Sequence, residues 1–274
     1  MNSLIYLSRD ITLFAGVLGA LPSHVHPTSV LIAGGENEPQ VCVSVGTERT
    51  CLGAQCMLID AGVKHQIDFR NQPVVVVYPE PGCDLWFALK RLQKTQVPLQ
   101  TGVWAMSDAP GLQGLLASFI EGELVTQQVE QWASDWIAHE HHMSSTDLPS
   151  SCLDSRVQKV IEYLYAEDSQ ADLDARGFLS RLTQAVDLSE SRLSHLFSEQ
   201  VGITLRLYRQ WVKLRLSAKS MVNNTRLTDA AMDGGFTDSA HFANTFKLTF
   251  GLTPSAIFTG QAAPDIVLGA NFVS

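Results

Sequence analysis

The spacing of apolar residues divides the chain into an N-terminal part with strand-like runs and a longer remainder with helical periodicity. Residues 3–80 hold short β-branched and apolar runs at 29–32, 40–45, 55–60 and 74–78. Turn-forming material separates them: Gly34-Gly35-Glu36-Asn37, Gly46-Thr47-Glu48, Gly53, Ala61-Gly62 and Asn71-Gln72-Pro73. Many short strands at fairly even spacing predict a barrel or jelly roll. The apolar run 11–21 is far shorter than a membrane span, and Arg9-Asp10 precede it where a signal peptide has a basic cluster. It is expected to be a buried strand.

From residue 84 the period changes. Leu85, Ala88, Leu89 and Leu92 share one side of a helix over 84–93, and a loop is expected over 98–110. Helices over 111–121 and 123–141 follow. Leu112, Leu115, Leu116, Phe119 and Ile120 form the stripe of the first; Leu124, Val125, Gln128, Val129, Trp132, Trp136 and Ile137 form that of the second. Two tryptophans on one such helix also make it a candidate dimer face. Residues 143–153 are polar, contain Pro149 and predict a linker. Beyond it, Asp154 or Ser155 caps a helix over 156–167.

Residues 182–254 predict two helix-turn-helix units joined by a long helix over 205–223. In the first, Leu182, Ala185 and Val186 lie on one helix face, Asp187-Leu188 break it, and Ser189 caps a second helix. Leu193, Leu196, Phe197 and Val201 form the back of that helix, with Ser191, Ser194, His195 and Ser198 in front. In the second, Gly235 supplies the turn and Thr237 or Asp238 the cap, while Phe242, Phe246 and Phe250 form the buried stripe.

These residues resemble the DNA-binding domain of the AraC family of bacterial transcription regulators. The resemblance rests on LSESRLSHLF with Gly202, then Gly235-Phe236, Asp238, His241-Phe242, Phe246-Lys247, Phe250-Gly251 and Thr253-Pro254, in that order. It covers about the last hundred residues. It implies that bases are read by Ser191, Arg192, Ser194 and His195 in the first unit and by Ser239, Ala240, Ala243 and Asn244 in the second. Arg192 is suited to guanine and Asn244 to adenine. Asn244 stands where many relatives carry a long basic residue. Thr204, Arg209, Thr237 and Lys247 are the expected phosphate contacts.

Charge distribution changes the picture modestly. The chain is acidic, with formal net charge −9. Residues 1–150 hold 7 Lys and Arg against 15 Asp and Glu, whereas residues 176–250 hold 10 against 6. The proposed DNA-binding segment is therefore mildly basic, and a second subunit is expected to help it bind.

Two N-terminal elements, His24-Val25-His26-Pro27 and Asp60-Ala61-Gly62-Val63-Lys64-His65, are similar to the His-x-His and Pro-x-Gly-x-x-His elements of cupins. Asp60 stands in place of the proline, and no carboxylate follows His26 until Glu36. Cupin-like barrels commonly form the sensory domain in AraC-family proteins, so His24, His26 and His65 are candidates for a ligand pocket. Ordinary barrel histidines are the expectation for the three, with no bound metal and no cofactor. Five cysteines, an odd number, with no signal peptide, predict reduced thiols in a cytoplasm. The run His139-Glu140-His141-His142 is expected to be a solvated helix terminus.

The reading is an α+β multidomain chain. A cupin-like sensory and dimerising β-barrel with C-terminal helices occupies residues 1–142, and a linker residues 143–153. An AraC-type all-α domain with two helix-turn-helix units follows over 154–260, then a tail over 261–274. The implied function is a non-enzymatic, cytoplasmic, ligand-responsive regulator acting as a homodimer on double-stranded promoter DNA. A small-molecule effector is expected, RNA polymerase stays open as a partner, and no membrane is involved. A cupin-type metalloenzyme with an accessory helical domain and a ligand-independent regulator are the alternatives.

Overall fold

The computed structural model describes residues 3–34, 41–52, 56–106, 111–143, 153–166, 177–222, 226–259, 263–269 and 272. The expected linker, residues 143–153, lies almost wholly outside them. The N-terminal part runs β1 (Leu4–Leu7), β2 (Ile11–Val25), β3 (Val30–Gly34), β4 (Val41–Val45), β5 (Glu48–Leu52), β6 (Cys56–Ile59) and β7 (Lys64–Pro79). Helix α1 (Asp84–Thr95), β8 (Val103–Met106), α2 (Leu112–Glu121) and α3 (Thr126–Met143) complete it. With a C-terminal strand β9 (Asp265–Leu268), the strands form one sheet in the order β8-β6-β3-β7-β2-β1-β9. Strand β4 joins this path at β7, and β5 pairs with β4.

The long strands β2 and β7 shape this sheet. They pair antiparallel from Ile11 opposite Pro79 to Val25 opposite Lys64, with register shifts between Leu18 and Ala20 and between Leu21 and His24. Arg70 and Asn71 take left-handed φ values of 58° and 56° in β7, near the first shift. An irregularity of this kind bends a strand and increases its twist. Before the bend β7 pairs with β4, and after it with β3.

Both faces of the sheet are buried, which explains the unbroken apolar run Val74-Val75-Val76-Val77. Val30, Ile32, Met57, Ile59, Val74 and Val76 point to one core. Their alternates Leu31, Ala33, Cys56, Leu58, Val75 and Val77 point to another, closed by Leu85 and Leu89 of α1, Leu115 and Phe119 of α2, and Val129 and Trp132 of α3.

Three elements depart from the sequence reading. Strand β8 lies in the expected loop, paired with β6, and β5 closes a hairpin that the run analysis did not mark. The C-terminal tail returns to the β-domain, where β9 pairs in parallel with β1. Phe272 packs there against Ile5 and Leu7. The cysteine expectation is also corrected. Cys42 and Cys51 face each other across β4 and β5 and form a disulfide, their Cα atoms 4.0 Å apart. Cys83 is a free thiol.

The C-terminal helices are α4 (Ser155–Tyr165), α5 (Phe178–Val186), α6 (Glu190–Val201), α7 (Leu205–Met221), α8 (Leu227–Asp233), α9 (Ser239–Phe250) and α10 (Pro254–Phe258). Val157, Val160, Ile161 and Leu164 of α4 pack with Leu182, Leu193, Phe197 and Trp211 in the core that also holds one face of the sheet. The two parts of the chain thus share a hydrophobic interior.

A buried carboxylate fixes their junction. Glu80, at the end of β7, is 5% exposed. Its Oε1 accepts from the Tyr165 hydroxyl at 2.9 Å and from the Tyr208 hydroxyl. Its Oε2 accepts from Trp211 Nε1 at 2.9 Å and from the Arg215 guanidinium at 2.8 Å. Arg215 also donates to Thr12 Oγ1 at 3.1 Å and to the Ser8 carbonyl. Burial pushes the Tyr208 hydroxyl well above its usual pKa, and the neighbouring Glu80 charge adds to the shift. It therefore remains a donor.

Removing one partner of a buried ion pair costs about 3–5 kcal/mol, because the other is left as an uncompensated charge. Glu80→Gln should lower unfolding stability by about that amount in denaturant titrations. Adding Arg215→Met should restore much of the loss, since it removes the stranded charge. An unchanged unfolding midpoint in Glu80→Gln would contradict the assignment.

Candidate nucleic-acid interface

The first helix-turn-helix unit is α5, a turn and α6. Asp187 ends α5 in the left-handed region, at φ 52° and ψ 47°, a conformation that its short polar side chain tolerates. Ser189 then caps α6 by accepting from the Arg192 backbone N–H. Leu193, Phe197 and Val201 are buried, whereas Ser191, Arg192, Ser194 and His195 are all exposed on the other side. His195 lies 3.7 Å from Glu199, one turn later on the same helix. The expected reading face therefore exists as a solvent-facing surface.

The second unit is α8, a glycine turn and α9. Asp238 caps α9 by accepting from the His241 N–H at 2.7 Å, and Thr237 bonds Asp238 and the His241 ring. Ser239, Ala240, Asn244 and Lys247 are exposed, and Ala243 is half-buried. Gly235 takes φ +80°, as its expected turn role requires. Gly234 has a separate role, which the sequence reading missed. A Cβ there would lie 2.0 Å from Ser217 Oγ and 2.7 Å from the Lys213 carbonyl, so only glycine lets α8 pack this closely on α7.

Helix α7 connects the units. Its 17 residues span about 25 Å at 1.5 Å per residue. Its basic residues serve the interior more than the surface. Lys213 and Arg215 are both 2% exposed, with Lys213 Nζ 5.3 Å from the centre of the Phe236 ring. The Arg209 guanidinium stacks 4.4 Å from the Phe178 ring, which sets it as a packing residue between α7 and α5. Thr204 caps α7 by accepting from the Leu207 N–H, leaving only part of its hydroxyl capacity for a phosphate.

The buried side of α9 meets the β-domain. Phe250 stands 5.9 Å from Tyr78 and 6.3 Å from both Trp211 and His26, measured between ring centres. Beside this contact lies an apolar cleft lined by Phe14, Leu18 and Val76 of the sheet, Leu214 and Ala218 of α7, and Phe246 of α9. Arg215 also lines it, but its guanidinium is engaged by Glu80.

His24, His26 and His65, separated by up to 41 positions in the sequence, come together at this same junction. All three are buried, at 2%, 4% and 1% exposure. His24 and His65 are direct cross-strand partners in β2 and β7. Burial lowers each imidazole's pKa, that of His65 to about 4, so the rings are neutral at neutral pH. The cluster lies against α9 through the contact of His26 with Phe250. A Cβ at Gly251, the left-handed cap of α9, would lie 3.1 Å from His24 Nδ1.

The candidate dimer helix is placed differently from the expectation. Val129 and Trp132 of α3 are buried in the chain's own core, and Gln128 bonds Ser118 of α2 and the Val125 N–H. Leu124 is half-buried and Val125 is exposed. The side chains of Trp136, Ile137 and residues 139–142 lie outside the described residues. Among the described residues, no helix is long and apolar enough to cross a membrane.

Comparison with known proteins matches this architecture. The model of a helix-turn-helix domain matches residues 182–259. The arabinose operon regulatory protein of Escherichia coli is 32% identical over 110 residues, which cover 39% of this chain and 36% of that protein. The matched region thus spans about a third of the relative's length. An apo variant of ToxT from Vibrio cholerae superposes with a TM-score of 0.58 at 12% identity, over 90% of this chain and 96% of the other. ToxT with an unsaturated fatty acid bound superposes with a TM-score of 0.51 at 12% identity, over 91% and 95%. This likeness shows a shared order of a β-domain followed by a helical domain. The sequence match and the paired units at its place in the fold make residues 182–259 a helix-turn-helix domain, similar to the matched part of the arabinose operon regulatory protein.

Proposed function

We propose that the chain is a sequence-specific DNA-binding transcription regulator whose β-domain sets the position of the second helix-turn-helix unit. One observation carries the reading: two capped helices present exposed polar faces from a common connecting helix, and the second is seated on the sheet. Arg192, Ser191, Ser194 and His195 read bases from α6. Ser239, Ala240 and Asn244 do so from α9, with Ala243 beside them, and Lys247 and Thr237 meet phosphates. Arg209 positions α5 against α7. A homodimer is formed through the exposed side of α2 and α3, where Ile120 and Val125 stand clear of the core.

The effector in this reading is an apolar molecule that enters the cleft between the sheet, α7 and α9. The lining supports this, being apolar apart from Thr12 and the already paired Arg215. The fatty-acid-bound ToxT structure, of the same fold, supports a hydrocarbon chain as the ligand class. An occupant there bears on Phe246 and Phe250 and shifts the population of α9 placements.

Arg192→Ala should cost about 1–3 kcal/mol of discrimination at one base position in a binding assay on the chain's own upstream DNA. Lys247→Ala should weaken binding to all sequences alike and reduce the salt slope by about 1. Equal specificity in wild type and Arg192→Ala would overturn the assignment of α6. Oleate should change the DNA affinity of wild type and leave Ala218→Phe, with its narrowed cleft, unresponsive. A response that survives in Ala218→Phe would place the effector elsewhere.

A further inference from the structure

We propose that His24, His26 and His65 form a binding site for one divalent transition-metal ion of the zinc class, set at the seam between the β-domain and α9. The case begins with the tautomers. His24 Nδ1 lies 2.8 Å from the Pro22 carbonyl, and His65 Nδ1 lies 2.9 Å from the Val63 carbonyl. A carbonyl oxygen only accepts, so both Nδ1 atoms carry the hydrogen and both Nε2 atoms present lone pairs. A ring nitrogen that donates to a backbone carbonyl while its other nitrogen is free is the arrangement that orients metal-ligating histidines.

The lone pairs converge. The three histidines offer ligand atoms within 4.8 Å of one another, and His24 Nε2 stands 3.2 Å from His26 Nε2. Nitrogens bound to zinc at about 2.0–2.1 Å in tetrahedral geometry lie roughly 3.3 Å apart. Two of the three thus already have the required spacing, and His65 reaches it with a shift of about 1.5 Å or less. His65 Nε2 is buried with no hydrogen-bond partner. Buried polar atoms are almost always satisfied, and a cation satisfies this one. Imidazole donors without a carboxylate or thiolate suit zinc, cobalt or nickel and disfavour magnesium or calcium.

His26 links the ion to the DNA-binding domain. Without metal, its Nε2 donates to His24 Nε2, because His24 has no hydrogen there to give. Ligation requires His26 to hold its proton on Nδ1 instead, with no net proton gained or lost. Nδ1 is buried without a partner in the metal-free arrangement, and Thr249 of α9 presents a backbone acceptor to the same ring. Metal binding therefore directs an N–H from His26, just past the end of β2, toward the last turn of α9. The Gly251 cap rests on His24, Leu21 and Pro22 at the same place. The ion tightens the seat of the second helix-turn-helix unit, a consequence that rests on the regulator reading above; the site itself does not.

The test uses the full chain carrying His139→Ala, His141→Ala and His142→Ala, so that the histidine-rich end of α3 cannot bind metal. After chelator treatment, cobalt(II) should saturate at one equivalent, with the strong visible absorption of a low-coordinate nitrogen site. Zinc should displace it, and either ion should raise the thermal midpoint. His65→Ala and, separately, His24→Gln should abolish both signals while keeping the circular dichroism of the parent. No uptake by the parent, or equal uptake by folded His65→Ala, would overturn the site. With the site established, zinc should tighten binding of the parent to upstream DNA and leave His65→Ala unaffected. Uptake without any change in DNA affinity would overturn the link to α9 while leaving the site in place.

Discussion

The Glu80–Arg215 ion pair is the constraint on which the arrangement of the two parts depends. It is buried at the foot of β7, and its remaining hydrogen-bonding positions are taken by Tyr165, Trp211, Tyr208, Thr12 and the Ser8 carbonyl. Charges taken out of water are tolerable only when paired and fully bonded. The geometry that satisfies them is therefore narrow, and it sets α7 against the sheet where β7 ends and β2 begins. Because α7 carries a helix-turn-helix unit at each end, holding it sets the frame for both units and leaves the seat of α9 on the sheet to the apolar contacts beside it.

The rest of the junction is apolar and more adaptable. Tyr78, Trp211, Phe246 and Phe250 meet around a cleft, and the three buried histidines stand beside them. The returning tail adds β9 and Phe272, whose ring lies 5.0 Å from the Arg215 guanidinium. One rigid polar contact beside a deformable apolar one suits a molecule in which α7 is held and the seat of α9 is adjustable. In the proposed function the first unit, packed on α4 and the start of α7, is the fixed reader and the second the regulated one.

Much of this was legible from residue spacing. The helix-turn-helix units carry their own local signals in Ser189, Asp187, Gly235 and Asp238, and the observed caps and turns fall on those residues. The strands at 29–32, 40–45, 55–60 and 74–78 were legible for the same reason, whereas β5 between them was not. What was missed depends on distant partners. Strand β8 is four residues long and acquires its state by pairing with β6, and β9 does so by pairing with β1 at the other end of the chain. Lys213 and Arg215, basic residues of the connecting helix, are both buried by neighbours far along the sequence. Glu80, alone after a long apolar strand, was the one available hint that a charge would be buried there. The histidine spacing placed His24 and His26 on one face, and the cross-strand register of β2 and β7 brought in His65.

The central claim is that the β-domain holds the second unit in place for DNA. Hydroxyl-radical footprinting on the chain's own upstream region tests it most directly. Wild type should protect two patches on one face of the duplex, about one helical turn apart. Glu80→Gln, at a temperature where it remains folded, should keep the patch belonging to α6 and lose or blur the one belonging to α9. Two equally sharp patches in both proteins would show that the second unit sits correctly without the junction, and would contradict the account.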